Sequence, residues 1–303
     1  MEASIQTFGL TKYYGTHRGI EDLDLTVQAG EIFGFLGPNG AGKTTTIRLL
    51  LDLLRPTSGR AEVLGLDVRT RSLEVRQRIG YIAGEVAFFE SMKGTELLHL
   101  LASLHRDGSR TDEVARRLEL EDDLDRPIRT YSRGMKQKLA IVQALAHDPD
   151  LLILDEPTVG LDPLMQQQFY NLMEEEKERG KTVFLSSHRL NEVERICDRI
   201  GIVRDGLLVD VEDVAELKRK KVRKLELVLT RDVQPEDLSI DGIEVIRVQG
   251  RSAELAVKGD LRKLLAHLAR LPVEDFVFPK ATLEETFMGY YAGEPEHEPD
   301  PVS

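Results

Sequence analysis

The nine residues Gly37-Pro38-Asn39-Gly40-Ala41-Gly42-Lys43-Thr44-Thr45 restrict the fold more than any other part of this chain. They follow Glu31-Ile32-Phe33-Gly34-Phe35-Leu36, an apolar run that reads as a buried strand, and precede Thr46-Ile47-Arg48-Leu49-Leu50-Leu51, which reads as the start of a helix. The spacing is that of a phosphate-binding loop, G-x-x-x-x-G-K-S/T, in its strand-loop-helix context. Glycines there accept positive φ and let successive N–H groups approach a polyphosphate without a Cβ in the way. The helix N-terminus directs its partial positive charge at the same anion. Lys43 is placed to reach β- and γ-phosphates, and the Thr44 hydroxyl to ligate Mg²⁺. The loop implies an α/β fold and a nucleoside triphosphate, but not what is done with the nucleotide.

Composition narrows the possibilities. The chain has 303 residues, enough for one large domain and a smaller one. A formal net charge of -12 argues against a nucleic-acid partner, because such binding depends on phosphate neutralisation by Lys and Arg. The one cysteine, Cys197, excludes an internal disulfide and fits a reducing cytosol. No apolar run approaches the roughly 18 residues needed to span a bilayer, and Met1-Glu2-Ala3-Ser4-Ile5-Gln6 has neither a basic n-region nor an apolar h-region. The expectation is a cytoplasmic protein, peripheral on the inner face of the cell membrane if it serves a membrane, with that contact made indirectly through a partner.

Along the chain, Ile5 to Leu10 reads as a strand, Gly15 to Gly19 as a break, and Leu23 to Val27 as a second strand. Tyr13 and Tyr14 precede the break. On pattern alone they read as strand packing, with stacking on a nucleotide base as the alternative. Ala61 to Gly65 and Arg78 to Ala83 are further strands. Helical spacing then predicts helices over Thr95–His105, Thr111–Leu118 and Arg133–Ala146, a block inserted between strands of the core. Ser132 is placed to cap the last of these, giving a second helix N-terminus suited to an anion.

Asp150-Leu151-Leu152-Ile153-Leu154-Asp155-Glu156 is the strongest strand, an apolar run ending in two carboxylates. Strands buried on both faces read this way, and ligands bind at their C-terminal ends. Asp155 suits a Mg²⁺ ligand and Glu156 a base that polarises water. Gly160-Leu161-Asp162-Pro163 turns into a helix over Leu164–Glu178, and the strand Thr182–Ser187 delivers His188 to the same edge.

In this order the motifs resemble the ATP-binding cassette (ABC) family over about Ile5 to Val214. Gly37 to Thr44 matches Walker A, and Leu151 to Glu156 matches Walker B with its following glutamate. Tyr131-Ser132-Arg133-Gly134-Met135 resembles a variant of the L-S-G-G-Q signature. Asp162 falls in the D-loop, His188 matches the switch histidine, and Tyr14, directly before Gly15, matches the aromatic that stacks on adenine.

The resemblance implies ATP and Mg²⁺ as ligands, and a head-to-tail homodimer. In that dimer Ser132, Arg133, Gly134 and Met135 would cover ATP held by the other copy, Glu156 would polarise the water, and His188 would hold it and the γ-phosphate. Two positions depart from the family pattern. Gly84, with Glu85 next, stands at the Q-loop glutamine, and Arg133 and Met135 replace Gly and Gln of the signature. The pattern is most similar to ATPases of bacterial drug, antibiotic or ion exporters with a separate permease chain.

The expected organisation is a P-loop NTPase of the ABC cassette type over residues 1–215, with a mixed sheet core and a helical subdomain at about 91–148. A small C-terminal α/β domain follows over 216–291, for dimerisation or regulation, and then a disordered acidic tail over 292–303. Within the C-terminal domain, Lys218 to Lys224 reads as a basic linker or edge strand. Asp260 is placed to cap a helix with Leu261, Leu264, Leu265, Leu268 and Leu271 on one face, and a last helix is expected from Thr282 to Phe287. The leading function is an ATP hydrolase powering an exporter. The alternative is a nucleotide-switched regulatory protein acting on a non-transport partner.

Overall fold

The computed structural model describes residues 2–104, 110–220, 223–238, 242–257 and 261–278. The chain divides into two compact units, Met1–Val214 and Ala215–Ser303.

The first unit begins with strands β1 (Ala3–Tyr14), β2 (His17–Leu23), β3 (Thr26–Gln28) and β4 (Ile32–Leu36), then helix α1 (Lys43–Leu50). Strands β5 (Ser58–Val63) and β6 (Leu66–Asp67), helix α2 (Ser72–Gln77) and strand β7 (Ile79–Ile82) follow. Helices α3 (Gly94–Leu104), α4 (Thr111–Arg117) and α5 (Arg133–Leu145) come next, before strand β8 (Leu151–Asp155). The unit closes with α6 (Pro163–Glu178), β9 (Thr182–Ser187), α7 (Leu190–Ile196), β10 (Arg199–Arg204) and β11 (Leu207–Asp213).

Two sheets organise these elements. An antiparallel sheet has the order β2-β1-β5-β6 with β3 also on β1, and a six-stranded sheet has the order β11-β10-β4-β9-β8-β7. In the latter, β10, β4, β9, β8 and β7 run parallel and β11 is antiparallel at the edge. The apolar runs at β4 and β8 are buried along their whole length, as central parallel strands must be. Phe33 stacks on Phe184 of β9 at 5.9 Å between ring centroids, and Phe35 tilts against the same ring at 5.5 Å. Ile47, Leu49 and Leu50 of α1 share one core cluster with Ile5 of β1 and Phe35 of β4, so α1 is held between the sheets. That packing fixes the helix whose N-terminus carries Lys43.

Helices α3 to α5 enter between β7 and β8, which are neighbours in the sheet with Ile79 opposite Leu151. Gly80 makes the junction close. A Cβ there would stand 2.2 Å from the Ala144 carbonyl oxygen of α5 and 2.6 Å from Leu152 Cδ2. Gly80→Ala is therefore expected to destabilise the unit by about 1–3 kcal/mol through overpacking. Thermal unfolding measures this, and an unchanged melting temperature would contradict the packing described.

Two local expectations need correction. The break expected from Gly15 to Gly19 is only a turn at Gly15 and Thr16, and His17–Leu23 is a strand paired with β1. The expected strand over Leu23–Val27 is divided, because Asp24 and Leu25 lie between β2 and β3. Asp24 accepts a hydrogen bond from the Gly9 amide at 2.6 Å instead of continuing a ladder. The short helix α2 and the edge strand β11 were not anticipated from the pattern.

The second unit continues from α8 (Val214–Lys220) with β12 (Arg223–Leu229), α9 (Pro235–Leu238), β13 (Ile243–Gln249), β14 (Ser252–Val257), α10 (Leu261–Leu268) and β15 (Val273–Val277). Its antiparallel sheet has the order β13-β14-β12-β15. Leu225, Leu227 and Leu229 alternate inward and meet Leu255, Leu264 and Leu268 in one core. The single apolar face expected for α10 is narrower than its leucines suggest: Leu264 and Leu268 are buried and Leu265 is 50% exposed. Leu265 lies about 100° around the helix from Leu264, which turns it off the core stripe. The basic run is not one linker, since Lys218 to Lys220 end α8 and Arg223 and Lys224 begin β12. Lys221, Val222, Asp260, the expected helix at Thr282–Phe287 and the acidic stretch at 292–303 lie outside the described residues.

Candidate functional site

The C-terminal ends of β4, β8 and β9 lie side by side, and each delivers one part of the site. From β4 comes the glycine loop. The Gly37 amide donates to the Ser187 carbonyl at 3.2 Å, and a Cβ on Gly37 would stand 2.3 Å from the Val203 carbonyl oxygen. Gly42 has φ 107° and precedes α1 without any side-chain cap, so the first-turn N–H groups face outward for a ligand. Lys43 is 6% exposed, and its ammonium donates to the carbonyls of Gly37 at 2.7 Å and Pro38 at 3.1 Å.

From β8 come Asp155 and Glu156. The Thr44 hydroxyl donates to Asp155 Oδ2 at 2.8 Å, and Ser186 of β9 donates to Asp155 Oδ1 at 2.5 Å. A hydroxyl and a fully buried carboxylate at this distance suit a hard divalent cation. Among the described residues there is no group of three or more His, Cys, Asp or Glu able to hold a metal alone. The Thr44–Asp155 pair fits Mg²⁺, an ion that commonly takes one or two protein oxygens and completes its shell with water and phosphate. Burial, and then the negative charge of Asp155, pushes the nearby Tyr81 hydroxyl above its ordinary pKa.

Glu156 takes a left-handed backbone at φ 50°, a conformation that costs energy in a non-glycine residue. Its amide is held there by the Ser186 hydroxyl at 3.1 Å and the Ser186 carbonyl at 3.3 Å. The carboxylate then meets His188 Nδ1 at 2.8 Å through Oε2 and the Lys43 ammonium at 3.5 Å through Oε1. Acid, imidazole and ammonium converge on the mouth of the glycine loop.

Tyr14 ends β1 with its ring 45% exposed and its hydroxyl 3.5 Å from Thr45 Oγ1, at the opening of α1. The Lys12 ammonium lies 5.4 Å from the ring centroid. Ser132 caps α5 by accepting from the Met135 amide at 3.2 Å. The Ser132–Met135 segment packs on the loop after Glu156: a Cβ on Gly134 would stand 3.0 Å from the Gly160 carbonyl, and the Arg133 stem lies against Gly160. Among the described residues no hydrogen bond or ion pair joins Ser132–Met135 to Lys43 or Thr44 of the same chain. Asp162 caps α6, accepting from the amides of Leu164 and Met165, each at 3.0 Å. Gly84 runs beside the carboxylate, where a Cβ would stand 3.1 Å from Asp155 Oδ2; Glu85 is exposed and lines a cleft with Arg133, Lys136 and Gln137.

The profile of the ABC transporter family matches residues 20–159. The bacitracin transport ATP-binding protein BcrA of Bacillus licheniformis is 36% identical over 97% of this chain and 99% of its own length. The chain belongs to the ABC transporter family. A second relative, the daunorubicin/doxorubicin resistance ATP-binding protein DrrA of Streptomyces peucetius, is 36% identical over 94% of this chain and 91% of its own. Among solved structures, the dimeric structure of a bacterial ABC transporter cassette aligns with a TM-score of 0.65 and 25% identity, covering 69% of this chain and 98% of that one. The first unit is thus an ABC cassette, a P-loop NTPase fold.

Within the cassette, two polar residues near the ends of β8 and β9 escaped the sequence reading. Ser186 bonds both Asp155 and Glu156 because β9 sets it directly opposite Asp155. Gln137, 7% exposed, donates to the Pro157 carbonyl at 2.6 Å and ties α5 to the loop after Glu156. Each looks ordinary in the sequence, and strand order and helix placement give them their contacts.

Proposed function

We propose that this ABC protein is the ATP-hydrolysing subunit of an exporter for a drug, antibiotic or ion, acting as a homodimer on a separate membrane permease. The observation that carries the hydrolytic reading is the Glu156–His188 pair, joined at 2.8 Å beside Lys43 at the mouth of the glycine loop. A loop that only bound nucleotide would need no such pair, which is why hydrolysis is favoured over a purely regulatory switch.

The chemistry follows from these positions. ATP phosphates occupy the N–H cradle of Gly37 to Thr45, and the Lys43 ammonium exchanges two backbone carbonyls for phosphate oxygens. Thr44 and Asp155 would hold Mg²⁺, which when bound would supply charge neutralisation for the phosphates. Glu156 accepts a hydrogen bond from the attacking water and aligns it with the γ-phosphorus; the water oxygen bonds to that phosphorus as its bond to the bridging oxygen breaks, leaving ADP and inorganic phosphate, and the water proton passes through Glu156 to the released phosphate. His188, bound to Glu156 through Nδ1, keeps the carboxylate from turning away and leaves Nε2 for phosphate or water. The Ser132 helix N-terminus makes no bond to its own cradle, which supports its use on ATP held by a second copy, with Arg133, Gly134 and Met135. Tyr14 then stacks on the base, and Asp162 orders the loop between the two copies.

Export and its cargo are argued from the relatives, whose names describe bacitracin transport and daunorubicin/doxorubicin resistance. A separate permease is argued from the family, and no helix among the described residues is long and apolar enough to cross a membrane. We assign residues 1–215 to nucleotide chemistry and 216–291 to dimerisation or regulation of the pair, the protein being peripheral on the inner membrane face. The test is affinity capture of the tagged chain from detergent-solubilised membranes. Recovery of a polytopic membrane protein whose presence raises the ATPase rate is the expected result. Quantitative recovery of the chain from the cytosol, with no membrane protein bound, would contradict the reading.

A further inference from the structure

We infer that Glu192 is a positioning residue for hydrolysis: by accepting a hydrogen bond from Ser187, it fixes the turn that aims His188 at Glu156. The inference rests on the hydrolytic reading of the Glu156–His188 pair. Glu192 opens α7 and is 2% exposed, with one carboxyl oxygen, Oε2, 2.6 Å from the Ser187 hydroxyl that donates to it. Its other oxygen is buried without a hydrogen-bond partner of normal geometry among the described residues. A carboxyl this deeply buried is costly unless its hydrogen bonds are made, which gives the bond from Ser187 its weight.

The contacts around it indicate the role. The Ser187 hydroxyl donates to Glu192 and accepts from the Arg189 amide at 2.9 Å, enclosing His188 in a short side-chain-closed turn. The Ser187 backbone is fixed from the other side, because its carbonyl receives the Gly37 amide and its strand pairs with Leu36. One residue therefore joins the start of the phosphate loop, the His188 turn and Glu192. Without an acceptor on Glu192, the hydroxyl has only the Arg189 carbonyl at 3.4 Å to donate to, and the turn that holds the imidazole loosens.

Burial raises the Glu192 pKa above the ordinary carboxylate range, opposed by the Ser187 and Thr158 hydroxyls and the positive charge of Arg189, while Glu156 adds to the rise. From α6 the Tyr170 ring faces the same region, its hydroxyl raised by burial and then by Glu192. Glutamine keeps the shape and an acceptor oxygen for the Ser187 hydroxyl, so the conservative variant can replace the carboxyl.

Steady-state ATP hydrolysis by the full chain tests the inference, with Glu192→Ala, Glu192→Gln, Ser187→Ala and Glu156→Gln measured together. A small misplacement of a catalytic group costs about tenfold to a hundredfold in rate. Glu192→Ala is therefore expected to lower kcat about tenfold or more while KM for ATP stays within about twofold, the pattern of a lost transition-state interaction. Glu192→Gln restores most of kcat. If Glu192→Ala does not fold, Ser187→Ala, which removes one hydroxyl, carries the test with the same expected split. Wild-type kcat in the alanine variant, an effect confined to KM, or an equal loss in Glu192→Gln would overturn the inference. Normal turnover by Glu156→Gln would instead overturn the hydrolytic reading on which it rests.

Discussion

Lys43→Ala is expected to weaken ATP binding by about a hundredfold or more. The lysine ammonium makes two hydrogen bonds to loop carbonyls and an ion pair to Glu156, all at the place where β- and γ-phosphates would lie. A charge-assisted hydrogen bond is worth roughly 1.5–3 kcal/mol, and about 2.7 kcal/mol corresponds to the hundredfold change. The variant also leaves Glu156 without its counter-ion, which increases repulsion of the phosphates. Isothermal titration with ATP and Mg²⁺ measures the effect, with thermal unfolding as the control for a folded chain. Unchanged affinity would mean that the glycine loop does not hold the phosphates.

Glu156→Gln separates binding from turnover. The substitution keeps the side-chain shape and an acceptor for His188, and removes the charge that polarises water. General-base catalysis contributes about 10²- to 10⁴-fold, so turnover is expected to fall by about a thousandfold while ATP affinity is retained. Phosphate release measures turnover, and the titration used for Lys43→Ala measures affinity. Turnover close to that of the unmodified chain would remove Glu156 from the mechanism and leave His188 without its partner in the reaction.

Much of this site was legible in the sequence because its parts are local. Positive φ at Gly42, an uncapped helix at Lys43, and two carboxylates after a buried strand follow from neighbouring residues. The resemblance to ABC proteins supplied the order of the motifs and, through it, Tyr14 and Asp162. What could not be read depends on which strands become neighbours. Ser186 matters because β9 lies against β8, and Glu192 because α7 folds back under Ser187. The Ser186 partnership spans 31 residues and arises from strand order, whereas Ser187 and Glu192 stand five residues apart and are brought together by the turn at His188. The same limit explains the misplaced break at Gly15 to Gly19, where pairing with β1 overrode the turn signal of the glycines. It also explains Leu265, which has the right residue type for the core and the wrong angular position.

The departures at Gly84 and Arg133 become concrete in the structure. Gly84 brings backbone close to Asp155, so a side chain there would have to turn aside to avoid the carboxylate. Arg133 lays its stem along Gly160, linking the α5 N-terminus to the loop that carries Asp162. Gln137 adds a buried bond from α5 to Pro157. The Ser132 helix is thereby anchored to the loop leaving Glu156.

The central claim is that each chain carries half of the hydrolytic site and that ATP joins two halves. Sedimentation equilibrium of the Glu156→Gln chain, with and without ATP and Mg²⁺, tests it most directly. The mass of two chains with ATP and of one chain without it is the predicted result, and Ser132→Arg in the same background should abolish the shift while ATP still binds. A chain that binds ATP tightly and remains a monomer at every concentration would contradict the account.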